Sequence, residues 1–185
     1  MRLAALGFLG LALSLLFAGS APARRSPWVG AFDLAQARIF SEFPLYDAGD
    51  RVDGLSLVAV LRRDDTADFV SFLYGDCVAR DDLGCAPPLE IQVWPACRRN
   101  LGLYEPSSPR TPLPERTTVR GVPAAYFEDG ERLELQTGSS TVVVFAGSRA
   151  RLLRAAGALR PLGARPTSGP LPAPEAGAVA GGLRC

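Results

Sequence analysis

Three of the four cysteines in this chain of 185 residues lie between residues 74 and 97, and this stretch constrains the fold more than any other. Residues 69–74 (FVSFLY) are aromatic and β-branched, and residues 89–94 (LEIQVW) alternate apolar and polar side chains. Both patterns are typical of β-strands. The connection between them contains glycine, aspartate and the pair Pro87-Pro88, which favour irregular backbone. We therefore predict two antiparallel neighbouring strands joined by an irregular loop.

Two cysteines occupy nearly symmetric positions in this loop. Cys77 follows the first strand by three residues, and Cys85 precedes the second by four. A bridge between them is compatible with disulfide geometry. Cys97 lies beyond the far end of the second strand, and about six residues at roughly 3.3 Å each put it out of reach of Cys77. We predict a Cys77–Cys85 disulfide, with Cys97 either free or joined to Cys185.

The N-terminal residues indicate export. Arg2 precedes an uncharged apolar run at residues 3–17, and small residues follow at 18–23. This is the pattern of a secretory signal peptide cleaved after Ala23, and the run is short for a membrane span. An uncleaved anchor formed by residues 3–18 is the alternative. We predict a signal peptide at residues 1–23 and a secreted or extracytoplasmic protein that meets a membrane only through an uncleaved N-terminal segment.

Composition agrees with this location and excludes some partners. Four cysteines in an exported chain are more often paired than catalytic. The net charge of +1 argues against a nucleic-acid footprint. All 20 basic residues are arginine, which GC-rich codons explain and which indicates a bacterial source of high GC content. Nothing in the sequence calls for a cofactor, so none is predicted.

The remaining patterns predict an α+β fold. Residues 32–43 carry apolar side chains at helical spacing, residues 55–61 form a strand, and Asp129-Gly130 is a two-residue hairpin signal. The β-prone residues 141–146 follow, and Ser148 then caps a helix that runs to about residue 160. We predict one domain at residues 26–162, with a single, mostly antiparallel sheet, a meander of about six strands, flanked by an N-terminal and a C-terminal helix. One face of the sheet would be covered by the helices, and the other would be solvated or form a groove.

The chain after this domain is rich in proline, glycine and alanine. Residues 163–185 contain little that could be buried in a core. Segments of this composition do not bury enough apolar surface to offset the entropy of ordering. We predict a disordered tail at residues 163–185.

The C-terminal part of the domain resembles known extracytoplasmic modules. The resemblance is carried by residues 120–124, 133–136, 142–145 and 152–159. This unit resembles the end of domains in bacterial anti-sigma and sporulation-associated proteins, which look related to the half-barrel of lipoprotein carriers. The rest of the chain is similar to secreted bacterial proteins of unknown function. The resemblance implies a binding or sensing role and no catalytic residues.

The search for catalytic chemistry yields mainly exclusions. The chain has no histidine, which removes Ser-His-Asp and Cys-His arrangements, the common zinc sites and histidine general bases. It contains neither a CxxC pair nor a glycine-rich phosphate loop. Trp94 and Tyr74 are predicted as core or sheet-face residues.

Four groups of residues remain as candidates for a site: Asp76, Asp81 and Asp82; Asp64, Asp65 and Asp68; Glu128, Glu131 and Glu134; and Cys97 with Arg98 and Arg99. The spacing of the first group matches no EF-hand, so solvated turns are the simpler interpretation of both aspartate groups. The glutamates are an acid/base candidate whose simpler interpretation is the solvent face of a hairpin. A free cysteine beside two arginines is a candidate reactive thiol, although a paired cysteine is favoured in an oxidising compartment.

Two functional hypotheses follow. The first is a non-catalytic binding or sensor module whose sheet face receives a lipid, a peptide or a protein. The second is a thiol-dependent enzyme or redox protein centred on Cys97. An apolar groove over the sheet favours the first, and a cleft that holds Cys97 beside a carboxylate and Arg98 favours the second.

Overall fold

The computed structural model of the chain describes residues 32–65, 67–77, 86–103 and 113–185. Within these residues the fold is α+β, with an eight-stranded antiparallel sheet, a two-stranded sheet and two α-helices. The predicted signal peptide at residues 1–23, the alternative anchor at residues 3–18, Asp81, Asp82 and Cys85 lie outside the described residues.

The chain is built mainly of strands. These are Tyr46–Asp47 (β1), Arg51–Val52 (β2), Leu55–Arg63 (β3), Phe69–Tyr74 (β4), Leu89–Pro95 (β5), Glu115–Val119 (β6), Val122–Phe127 (β7), Arg132–Thr137 (β8), Ser140–Ala146 (β9) and Arg160–Pro161 (β10). The helices are Leu34–Ile39 (α1) and Arg149–Ala158 (α2), and short 3-10 turns occur at Leu101–Leu103 and Glu128–Gly130.

The large sheet consists of two meanders rather than one. Its strand order is β2-β3-β4-β5-β9-β8-β7-β6, and every neighbouring pair is antiparallel. The two meanders meet where β5 pairs with β9 along seven residues of each strand. The predicted single meander of about six strands is therefore corrected in two respects. β5 pairs with β9 rather than with the next strand along the chain, and β2 and β6 at the edges bring the sheet to eight strands. The predicted antiparallel pairing of β4 with β5 is confirmed.

One face of the sheet carries the hydrophobic core. A typical cross-strand row on this face joins Phe72, Ile91, Val144 and Leu133, and each of the four is fully buried. Both helices pack against the same core. The prediction of a helix capped by Ser148 is confirmed, since its side chain accepts a hydrogen bond from the backbone of the first turn.

The first helix is shorter than the apolar spacing predicts. The Asp33 carboxylate caps its N-terminus by accepting backbone N–H groups at 2.8 and 3.0 Å. The helix ends at Ile39, and Phe40 adopts an extended conformation. Phe32 and Phe43 meet Phe40 edge-on, with ring centroids 6.0 and 4.8 Å away. The helical spacing therefore reflects aromatic packing as well as helix, because such contacts contribute about 0.5–1.5 kcal/mol each.

The connection between β7 and β8 differs from the predicted two-residue hairpin. Phe127 pairs with Arg132, so four residues form the loop. Within it Glu128, Asp129 and Gly130 all have positive φ values, of 51°, 55° and 92°. Glycine adopts such values freely, whereas the two non-glycine residues each cost of the order of 1–2 kcal/mol. The local Asp-Gly signal was right about reversal and wrong about loop length.

The C-terminal strap, residues 163–185, differs from the predicted disordered tail. Leu171 is buried, and its N–H donates to the carbonyl of Arg120. Gly138 exchanges two backbone hydrogen bonds with the strap, and Cys185 is disulfide-bonded to Cys97. Backbone hydrogen bonds and a disulfide hold the strap in place. Its sequence shows no apolar periodicity, so composition alone predicts disorder.

Arg120 joins the strap to the end of α2 and has no carboxylate partner among the described residues. The guanidinium of Arg120 donates to the carbonyls of Gly169, Thr167, Gly157 and Leu159. Burial lowers the pKa of this guanidinium from its usual value. Four carbonyl acceptors on one planar group connect the strap to the end of α2.

Among the described residues, no helix has the length and apolar run needed to cross a membrane. A disulfide between Cys97 and Cys185 is consistent with an extracytoplasmic location.

Candidate functional site

The second face of the large sheet, which we call the outer face, is polar at its centre. The row Ser71, Gln92, Val143 and Glu134 crosses four strands on this face. Three of these four side chains are buried, and Gln92 is half-buried. Within β8, Leu133 and Leu135 lie on the core face and Glu134 lies on the outer face. A polar centre of this kind does not form the apolar groove that a lipid would need.

Glu134 contradicts the prediction that the three hairpin glutamates face solvent. It is only 3 % exposed, and both of its oxygens accept hydrogen bonds from the Arg99 guanidinium. The Nε of Arg132 lies 3.1 Å from the same carboxylate. A buried carboxylate requires such partners, because an unpaired buried charge is strongly unfavourable. Glu134 is therefore a structural ion-pair residue, and no local pattern indicates its pairing with the arginine 35 positions away.

A second hydrogen-bonded row lies on the outer face along β5. Glu90 accepts from Ser71 at 2.6 Å and from Gln92 at 2.8 Å, and Gln92 accepts from the Trp94 indole at 3.0 Å. The Trp94 ring stacks on Phe69 with centroids 4.4 Å apart. Trp94 is thus a packed sheet-face residue, and Tyr74 is a fully buried core residue, as predicted.

The three described cysteines are disulfide-bonded. Cys97 is bonded to Cys185, with Cα atoms 5.4 Å apart. Cys77 is also disulfide-bonded, and because Cys85 lies outside the described residues, their predicted pairing stays a prediction. Of the two arginines after Cys97, Arg99 binds Glu134, and Arg98 lies 3.7 Å from Asp68. Neither arginine is paired with a free thiol, so the arrangement required by the thiol hypothesis is absent from the described residues.

The aspartates that the structure describes are not gathered into a metal site. Asp65 accepts from Arg63 and from the N–H of Ala67, and the arginine hydrogen bond is the main reason that its pKa is lowered. Asp68 lies 3.7 Å from Arg62, and Asp76 is exposed. Within the described ranges, no three metal-ligating side chains cluster together. Asp64 is exposed, Asp65 is paired with Arg63, and Asp68 is half-buried near Arg62 and Arg98, so a charged turn is the better interpretation of this group.

Two of the three hairpin glutamates instead line a cleft at one end of the sheet. We call it the Glu131 cleft. It has a volume of about 350 Å³ and is lined by Pro87, Pro88, Glu128, Glu131, Phe145, Gly147 and Arg151 and by the alanines beside them. Its walls come from the end of the cysteine loop, the β7–β8 turn and the start of α2. The two sequence regions that carry the proline pair and the glutamates therefore meet in space.

The charges in this cleft are unequally compensated. Glu128 is paired with Arg132. Arg151 donates to Asp53 at 2.8 Å, and Asp53 is also bound by Arg154. Glu131 is exposed, and its carboxylate has no partner among the described residues. The Glu131 cleft is therefore lined by two prolines and one aromatic ring, together with the Glu131 carboxylate, which has no partner among the described residues.

The strained turn fixes the backbone of these two glutamates. The positive φ values of Glu128 and Asp129 direct the chain so that the Glu131 N–H donates to the Glu128 carbonyl at 3.1 Å. The N–H of Ala146 donates to the Glu131 carbonyl, also at 3.1 Å. These bonds hold the Glu131 backbone against the end of β9. Strained residues of this type are commonly found at binding sites, where the surrounding structure maintains them.

A second cleft, of about 400 Å³, lies between the end of α1 and residues 41–45, with Pro161 and Leu162 on its other side. Its only carboxylate, Glu42, is already paired with Arg62 at 2.7 Å. It therefore offers less to a charged ligand than the Glu131 cleft.

Comparison with known proteins gives no functional assignment. Searches of protein families, curated proteins and solved structures find no match to this chain.

Proposed function

We propose that this chain is a non-catalytic, extracytoplasmic binding module whose Glu131 cleft receives a segment of a partner peptide or protein. The observation that carries this proposal is the Glu131 carboxylate, which has no partner among the described residues, in a cleft that Pro87, Pro88 and Phe145 also line. Ligand sites commonly combine a mostly apolar concave surface with a few polar groups that orient the ligand.

The chemistry of the sheet favours a peptide over a lipid. The outer face is polar, and its central carboxylate is paired with arginines. A lipid chain placed there would have to desolvate these groups without replacing their hydrogen bonds. The Glu131 cleft has a volume of about 350 Å³, which suits a few side chains of an extended segment. The disulfide of Cys97 supports a location outside the cytoplasm and leaves this cysteine without a thiol for catalysis.

Two glycines provide a matched test of the cleft. Gly147 lines it, and Gly157 lies outside it on α2. A Cβ atom built at either position meets no atom within 4 Å, and neither residue has a positive φ. Gly147→Tyr should therefore fill the cleft without strain, and Gly157→Tyr is the control.

The experiment is selection of a phage-displayed library of linear peptides on the exported, disulfide-bonded protein. We expect enriched peptides to bind the native protein and Gly157→Tyr equally and to lose binding to Gly147→Tyr. Circular dichroism and urea unfolding establish that both variants are folded. If no peptide is enriched, or if enriched peptides bind Gly147→Tyr as well as the native protein, the proposed function is wrong.

A further inference from the structure

Arginines in this protein are held in one recurring way. Among the described residues, four arginines lie over aromatic rings, with guanidinium-to-centroid distances of 3.9–5.1 Å. Each of the four is also paired with a carboxylate. The sets of arginine, ring and carboxylate are Arg62, Phe40 and Glu42; Arg99, Trp94 and Glu134; Arg132, Phe127 and Glu128; and Arg149, Tyr126 and Glu115.

The Glu131 cleft contains the ring and the carboxylate of this arrangement. Phe145 and Glu131 both line it, and the Ala146–Glu131 hydrogen bond keeps the end of β9 next to the residue that precedes β8. The one arginine that lines the cleft, Arg151, is held by Asp53 at 2.8 Å. No arginine of the described residues lies over Phe145 or pairs with Glu131.

We propose that the ligand group recognised by the Glu131 cleft is the guanidinium of an arginine in the partner segment, an inference that rests on the function proposed above. The guanidinium would stack on Phe145 and donate to Glu131. Pro87 and Pro88 would cover the aliphatic part of the side chain. Glu128 is held by Arg132 and Arg151 is held by Asp53, so Glu131 is the carboxylate of the cleft that a ligand guanidinium would pair with.

The same geometry discriminates between arginine and lysine. A guanidinium is planar, stacks on an aromatic ring and donates two parallel hydrogen bonds to one carboxylate. An ammonium is a compact and more strongly hydrated charge. It has no planar group to stack on a ring, and it binds a carboxylate as a point charge rather than through two parallel hydrogen bonds. Arginine should therefore bind several-fold more tightly than lysine.

The test uses N-acetyl-arginine amide, N-acetyl-lysine amide and N-acetyl-norleucine amide, titrated into the isotope-labelled, disulfide-bonded protein and followed by amide NMR shifts. We expect the arginine compound to shift the amides of Glu131, Ala146 and Gly147, with weaker effects of lysine and none of norleucine. Glu131→Gln should weaken arginine binding about fivefold, the range of one partly exposed ion pair. Glu175→Gln is the matched control, because Glu175 is exposed and lies on the strap. Added salt should weaken the binding.

The outcomes separate this inference from the proposed function. If peptides selected from the library lose binding to Gly147→Tyr but carry no arginine, and Glu131→Gln binds them normally, the guanidinium inference is overturned and the binding function stands. If the arginine compound causes no shifts at the cleft and no selected peptide depends on Gly147, both proposals are overturned.

Discussion

Replacing Glu134 with glutamine tests whether the ion cluster on the outer face stabilises the fold. The substitution preserves the size of the side chain and removes the charge that compensates Arg99 and Arg132. These guanidinium side chains are 28 % and 15 % exposed, and the Glu134 side chain is 4 % exposed. Leaving a buried charge without its partner typically costs about 3–5 kcal/mol.

The expected loss is smaller than this range for two structural reasons. Arg99 is partly solvated, and Arg132 keeps a second carboxylate, Glu128. The amide oxygen of the new glutamine can also accept one hydrogen bond. We therefore expect Glu134→Gln to lower the free energy of unfolding by about 2–3 kcal/mol.

The assay is urea unfolding of the oxidised protein, with Glu131→Gln as the control. Glu131 lies three residues earlier, is exposed and has no partner among the described residues, so its substitution should change stability by less than about 0.5 kcal/mol. If Glu134→Gln and Glu131→Gln cost the same small amount, the ion cluster contributes nothing measurable. The simple solvent-face interpretation of Glu134 would then be correct and our reasoning wrong.

Three further predictions concern the cross-links of the fold. Replacing Cys97 and Cys185 with serine removes a bond that spans 88 positions, so urea unfolding should show a loss of about 4–5 kcal/mol; a loss below about 1 kcal/mol contradicts this. Arg154 is the main cause of the Asp53 pKa of about 2, so the stability from this carboxylate is present above its unfolded pKa of 3.8 and is lost as pH falls toward 2; Arg154→Gln should raise the pKa measured by carboxyl NMR, and an unchanged value refutes the assignment. Arg120→Gln should accelerate proteolysis of the strap with the sheet intact, whereas native cleavage kinetics would show that other contacts hold it.

Some residues of the Glu131 cleft could be identified from the sequence, but their different roles could not. The glutamates were identified as a group, but nothing local separated Glu134 from Glu131. In the fold, Glu134 lies within β8 and meets an arginine from after β5, whereas Glu131 precedes β8 and faces the cleft. Their different roles depend on which distant segment covers each side chain, and spacing along one strand carries no information about that.

Patterns among neighbouring residues were enough to predict the local elements. The aromatic and β-branched run of β4, the alternation of β5 and the Ser148 cap of α2 were all predicted correctly, because these signals depend on neighbouring residues. They also sufficed for the α+β class.

The assembly of these elements could not be predicted from local patterns. Three features depend on residues far apart in the chain. They are the pairing of β5 with β9, the burial of β8 on both faces and the attachment of the strap through Cys185. Any of several apolar strands satisfies the pattern of a central strand equally well, so register and order depend on packing the whole core at once. The strap shows the same limit, because its composition predicts disorder. It is ordered by backbone hydrogen bonds, by the hydrogen bonds that Arg120 donates to its carbonyls and by one disulfide.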